Sequence, residues 1–241
     1  MSGHSKWSTI KRKKEKIDGK RAKIFTKIGR EMAVAVKEGG ADPTTNAKLR
    51  DCIAKAKANN VPNDNIDRII KKAQGEDRDT YEEIVYEGYG VGGVAVMVEA
   101  LTDNRNRTAA DLRHYFDKFG AGLGQSGCVS YMFTQKGVIV LDAEGVDEEA
   151  FMEHALEAGV EDYSFEDGAI ECYTQVPDFS DARQYLEDQG FTFLSAEVEY
   201  VPSTYVALTD EEQIKKMTLL IDQLEDNDDV QAIWHNWEET E

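Results

Sequence analysis

GVIVLDAEGVDEEAFMEHALEAGVEDYSFEDGAIECYTQVPDFSDARQYLEDQGFTFLSAEVEYV, residues 137–201, switches its apolar period between two and three-to-four. Alternation of apolar and polar residues marks half-buried strands, and recurrence at three and four marks amphipathic helices. The spacing predicts strand 137–142, helix 147–158, strand 160–165, a turn at Asp167-Gly168, strand 169–175, helix 179–189 and strand 192–200. That order is βαββαβ, the ferredoxin-like signature. Downstream lie a short strand at 205–208, a helix at 210–225 and a strand at 230–237, none with a sheet of its own.

Upstream, residues 83–88 and 93–101 read as strands around GYGVGG (88–93). TDNRNRT (102–108) is a loop, and Thr108 with Asp111 fits a capping box opening a helix with Ala109, Leu112, Phe116 and Phe119 on one face. GAGLGQSG (120–127) is a loop, followed by a strand from Cys128 to Phe133. This region lacks a second covering helix, which segment 204–241 supplies.

The N-terminal part is helical. Ile24, Phe25, Ile28, Met32, Ala35 and Val36 recur at helix spacing until Gly39-Gly40. Asp42-Pro43 reads as an N-cap with proline in the first turn of a second helix carrying Leu49, Ile53 and Ala56. Val61-Pro62 breaks it, and Asn63 caps a third helix with Ile66, Ile69, Ile70 and Ala73. GEDRD (75–79) is a polar linker. The expected fold is α+β: a basic helical domain (1–79) with a mobile arm, a discontinuous α/β middle domain (80–133 plus 204–241) and an acidic ferredoxin-like insertion (134–203).

The 241 residues are 41% hydrophobic and 31% charged, enough apolar material for several modest cores. No run of about 18 apolar residues occurs, so no membrane helix is expected. The N-terminus has no apolar signal region, and Cys52, Cys128 and Cys172 are odd in number and far apart. A reducing, cytoplasmic setting is expected. Net charge is −19, but residues 1–80 sum to +9 and residues 81–241 to −28. Residues 1–30 alone hold 11 Lys and Arg against two acidic residues. A basic arm on an acidic body points to a polyanionic partner for the arm alone.

Signals for catalysis are weak. Gly88, Gly90, Gly93 and Gly122, Gly124, Gly127 both match GxGxxG, but neither match leads from a strand into a helix as a dinucleotide site requires. They read as turn glycines. His4, His114, His154 and His235 show no metal-ligand spacing, and EDNDD (225–229) lacks the glycine and distal glutamate of a calcium loop. No catalytic residue, metal, cofactor or small-molecule substrate is expected.

The basic arm carries the strongest signal: Lys6, Lys11, Arg12, Lys13, Lys14, Lys16, Lys20, Arg21, Lys23, Lys27 and Arg30. On a helix Lys20, Lys23, Lys27 and Arg30 form one stripe. Eight of the eleven are lysine, which suits phosphates better than bidentate reading of guanine. Trp7 offers a ring to stack on a base. Arg105 and Arg107 precede a helix N-terminus, where the dipole disfavours cations, so they are candidate anion ligands. Pairing with nearby carboxylates is the competing reading for both.

GHSKW (3–7), KIFTKIGRE (23–31), GGADP (39–43), NNVPNDNI (59–66), YEGYGVGGVA (86–95), LTDNRNRT (101–108), LGQSGCVSYMF (123–133), EDGAI (166–170), PST (202–204) and LEDNDDVQAIWHN (224–236) together resemble the YebC/PmpR family. The resemblance spans nearly the whole chain. It implies a helical N-terminal domain, two α/β domains and no catalytic residues. It also implies a cytoplasmic DNA-binding transcriptional regulator, while mitochondrial relatives that activate translation bring in the ribosome. Two readings follow: a nucleic-acid-binding transcriptional regulator, and a ribosome-associated factor whose arm tracks ribosomal RNA. A monomer, with no membrane partner, is expected in either case.

Overall fold

The structure is a computed structural model that describes residues 21–75 and 80–238. In chain order its main elements are α1 (Arg21–Gly39), α2 (Ala47–Ala58), α3 (Asn63–Ala73), β1 (Glu82–Tyr89), β2 (Ala95–Thr102), α4 (Arg105–Phe119) and β3 (Gly122–Leu123). There follow β4 (Phe133–Asp142), α5 (Glu148–Glu157), β5 (Asp162–Glu166), β6 (Ala169–Thr174), α6 (Phe179–Asp188) and β7 (Phe193–Pro202). The chain ends with β8 (Val206–Ala207), α7 (Glu211–Asp226), β9 (Val230–His235) and β10 (Trp237–Glu238). The architecture is α+β, with helices first and sheets after. The chain forms two compact units.

Residues 130–208 and 236–238 make the ferredoxin-like unit. Its sheet runs β5-β6-β4-β7 with every pair antiparallel. Alternate residues of β4, Ile139 and Leu141, join Phe151 and Ala155 of α5, Ile170 and Cys172 of β6, and Ala182 and Leu186 of α6 in the core. Phe151 meets Tyr163, Phe165 and Phe191 edge to face at 5.3–5.7 Å between ring centroids, the arrangement that aromatic quadrupoles favour. Asp167 and Gly168 both take positive φ, as a tight two-residue hairpin requires.

Described residues 21–75, 80–129 and 209–235 make the other unit. Its sheet runs β3-β1-β2-β9, again antiparallel. The return segment 204–241 divides. Helix α7 and β9 join the middle sheet's unit, whereas β10 pairs in parallel with β8 in the ferredoxin-like unit. The helical segment shares the middle sheet's unit. Ile28, Met32, Ala35 and Val36 of α1 pack on Leu49, Cys52 and Ala56 of α2 and on Val61, Ile66 and Ala73.

Several boundaries differ from the sequence reading for identifiable reasons. Asn46, not Asp42, caps α2: its side chain accepts from Leu49 N at 3.0 Å and donates to Ala35 O and Gly40 O at 2.7 Å each. Asp42 instead closes a surface turn by accepting from Thr44. Gly39 is required beside Asn46, because a Cβ there would lie 2.7 Å from the amide. Pro62, not Asn63, is the N-cap of α3 and offers no side-chain bond. The expected strand at 128–133 is a short helical turn, Ser130–Met132, and β4 starts only at Phe133. Backbone groups there have partners outside any ladder: Cys128 N bonds Gln125 O, and the buried Glu87 carboxylate accepts from Gly127 N and Val129 N, both at 2.8 Å.

Asn46 satisfies three backbone groups from a buried position, so Asn46→Ala is expected to cost about 2–4 kcal/mol, a cap plus orphaned carbonyls. Thermal denaturation checks this: Asn46→Ala should lower Tm by several degrees, and Asp42→Ala should lower it far less.

Candidate nucleic-acid interface

Lys6, Trp7, Lys11, Arg12, Lys13, Lys14, Lys16 and Lys20 lie outside the described residues, as does the side chain of Arg21. The rest of the expected basic stripe is in view, and it turns inward. Lys23 Nζ donates to Asp226 O at 2.9 Å and Lys27 Nζ to Glu225 O at 2.8 Å. Arg30 donates to Leu101 O at 3.1 Å and Asp228 O at 2.8 Å, and meets Asp229 Oδ1 at 2.5 Å. The last carbonyls of a helix have no internal partner and carry the negative end of its dipole. Three cations of α1 therefore occupy the C-terminal end of α7 and the turn beyond it. EDNDD (225–229), the end of α7 and the turn beyond it, is the seat of α1.

Helix α4 begins four residues earlier than the Thr108 cap implies. Asn104 is the N-cap, its side chain accepting from Arg107 N at 3.1 Å. Thr108 lies inside the helix, fully buried, and its hydroxyl reaches Asp229 Oδ2 at 2.7 Å. Arg107 bonds Asp229 at 2.9 Å and Asp103 at 2.8 Å. Of the two arginines expected to bind an anion, Arg107 thus pairs with carboxylates. Arg105 is exposed, and among the described residues its guanidinium makes no hydrogen bond or ion pair.

Asp229 joins these groups. Its side chain is 5% exposed and takes Arg30, Arg107 and Thr108, with Thr102 Oγ1 at 3.3 Å. Burial alone would raise its pKa, but hydrogen bonds from Arg107, Thr108 and Arg30 outweigh it and hold the carboxyl below the usual range. Its carbonyl also accepts from Leu101 N at 2.8 Å.

A second charged group lies where α1 and α2 meet β2. Burial, with Glu83 and Glu31 nearby, pushes Glu99 up to about 7 against the opposing pull of Lys55 and Lys48. Lys55 is already paired with Glu31 at 3.1 Å. Burial also pushes the Cys52 thiol up to about 11 and Cys172 to about 12, so both are inert as nucleophiles at neutral pH. Among the described residues no group of three His, Cys, Asp or Glu is placed to hold a metal ion. Nor is any helix among them long and apolar enough to cross a membrane.

Residues 5–76 match the family described as "TACO1/YebC protein N-terminal domain", and residues 81–237 match "TACO1/YebC second and third domain". The chain belongs to the TACO1/YebC family. A family relative from Ruminiclostridium cellulolyticum, named "Probable transcriptional regulatory protein", is 60% identical over all of this chain and 98% of its own length. One from Caldicellulosiruptor bescii with the same name is 59% identical over the full length of both. A crystal structure of a conserved hypothetical protein from Aquifex aeolicus superposes with a TM-score of 0.83 at 43% identity, covering 91% of each chain. Asp229, which fixes where Arg30 and Arg107 lie, is the charged residue that sequence spacing does not reveal. A lone Asp in an acidic run carries no signal, although the run's position after a helix whose end needs cations could have raised it.

Removing Asp229 leaves Arg30, with only 16% of its side chain exposed, without its carboxylate. Asp229→Asn is expected to cost about 2–4 kcal/mol, read by chemical denaturation, while Arg107→Ala should cost about 1 kcal/mol or less because that side chain is 46% exposed. The pH dependence of Glu99 has the opposite sign to that of a paired carboxylate. With its folded pKa raised from 4.5 to about 7, its favourable contribution is full below about pH 4.5 and is lost as pH rises through 7. Glu99→Gln should therefore stabilise the protein by roughly 1–3 kcal/mol at pH 8, with the gain vanishing toward pH 4.5 in denaturation curves collected across that range.

Proposed function

We propose that this TACO1/YebC protein is a non-enzymatic, nucleic-acid-binding regulator of transcription that works in the cytoplasm as a monomer. The observation that carries the reading is the full-length identity to relatives named as transcriptional regulators. The charge distribution supports it. Of the eleven cations in residues 1–30, Lys23, Lys27 and Arg30 are held by α7 and the turn after it. The eight that remain, from Lys6 to Arg21, are the phosphate-binding element, with exposed Arg105 as a further contact. Lysine dominates this set, so it grips the backbone and reads bases little. The acidic body is repelled by a polyanion, which confines binding to the arm and Arg105.

Counterion release makes the arm's contribution measurable. About five to seven phosphate contacts give a log–log salt slope of roughly −4 to −6 on duplex DNA. Deleting residues 1–20 should flatten that slope toward zero without lowering Tm, since no residue of the cores described above is removed. Arg105→Ala should reduce the slope by about one contact. Equal binding by the truncated chain would remove the arm from the interface. Complete displacement of DNA by ribosomal RNA at equal mass would favour the ribosomal reading over the transcriptional one.

A further inference from the structure

Helix α5 has two apolar faces of different fate. Phe151, Ala155 and Ala158 point into the ferredoxin-like core, and Phe151 is fully buried. Met152 and Leu156, one turn apart, are 57% and 81% exposed and belong to no core. Around them Glu148, Glu149 and Glu153 are exposed and make no hydrogen bond or ion pair among the described residues. Glu157 is also exposed and accepts from Tyr185. Residues 134–203 carry 18 Asp and Glu against Lys136 and Arg183 alone. The unit cannot neutralise this face from its own side chains, and a nucleic acid would be repelled by it. What fits is a cationic segment with apolar anchors.

The chain contains such a segment. In residues 6–14, KWSTIKRKK, Trp7 and Ile10 stand three apart, flanked by Lys6 and by Lys11, Arg12, Lys13 and Lys14. The pairing is complementary twice over: two apolar anchors meet two exposed apolar side chains, and five cations meet a ring of carboxylates. From Trp7 to the first described residue of α1 the chain spans roughly 45 Å when extended, so the segment has a long reach.

We propose that the outer face of α5 is the docking surface for residues 6–14 of the same molecule. The carboxylates around Met152 and Leu156 stand in for phosphates, and the arm exchanges between this face and nucleic acid. The regulatory consequence rests on the arm being the nucleic-acid element; the contact itself does not. While docked, the arm is withheld, and the apparent affinity for nucleic acid falls by the fraction of molecules with the arm free.

Carbodiimide coupling of the full-length protein at low ionic strength, followed by peptide mass spectrometry, tests the contact without any nucleic acid. Amide links from Lys11, Lys13 or Lys14 to Glu148, Glu149 or Glu153 are expected, in the monomer band and independent of protein concentration. The variant Met152→Ser/Leu156→Ser keeps every charge and alters only exposed side chains, so it should keep its Tm and lose most of those links. The same variant should bind a 20-base-pair duplex two- to fivefold more tightly at low salt. Links spread evenly over other surface carboxylates, or undiminished in the variant, would overturn the proposal, as would links confined to a dimer band, which would make a second copy the occupant. If the links form as expected but the duplex does not bind, the docking surface stands and the reading of the protein as a nucleic-acid binder falls.

Discussion

One buried carboxylate organises half of this protein. Asp229 lies between α7 and β9 and gathers a guanidinium from α1, a guanidinium and a hydroxyl from the first turn of α4, and the hydroxyl of Thr102 from the end of β2. A buried anion is tolerable only when its lone pairs are filled. Filling them here draws three stretches distant in sequence, at residue 30, at 102–108 and at 229, to one point. The carbonyls ending α7 add Lys23 and Lys27 to the same seam. Without that seam the helical segment would have only its own small core, and α4 would lose the anchor of its first turn.

This arrangement changes how the basic N-terminus is read. A stripe of cations looks uniform in sequence, but its members divide by what they meet. Lys23, Lys27 and Arg30 serve the fold, held by the end of α7 and by Asp229. The division follows from helix electrostatics, since a helix end with unfilled carbonyls competes for cations as a phosphate does. Arg105 and Arg107 divide in the same way, two residues apart on one helix, because only Arg107 faces the carboxylates of Asp103 and Asp229.

Much of the fold was legible in the sequence. The βαββαβ order could be read because strands and helices there alternate cleanly between two apolar periods, and each turn carries its own chemistry, as Asp167-Gly168 does. Boundaries that depend on tertiary contacts were not legible. Thr108 with Asp111 fits a local capping rule, but its hydroxyl is claimed by Asp229, 121 residues away. Asn46 outweighs Asp42 as a cap because its amide also reaches back to Ala35 and Gly40, which sequence spacing does not show. Of the candidate site, residue types and charge asymmetry were visible. The pairing that removes four of those residues from the list of free cations was not, because sequence spacing does not show which carbonyl or carboxylate lies opposite a side chain.

The route of the chain has a consequence for its synthesis. β2 receives β9 along one edge, and Asp229 immediately precedes β9. The middle sheet therefore waits for residues 230–235, while the whole βαββαβ module, 133–202, emerges earlier. Vectorial synthesis lets that module collapse first from its own short-range contacts. Until residues 229–235 emerge, β2 presents an open edge and Arg30 and Arg107 lack their shared anion. A nascent chain stalled in that interval exposes a strand edge beside unfilled cations, a combination that invites premature association. Closure of the middle sheet and filling of the Asp229 charge network are thus the same event.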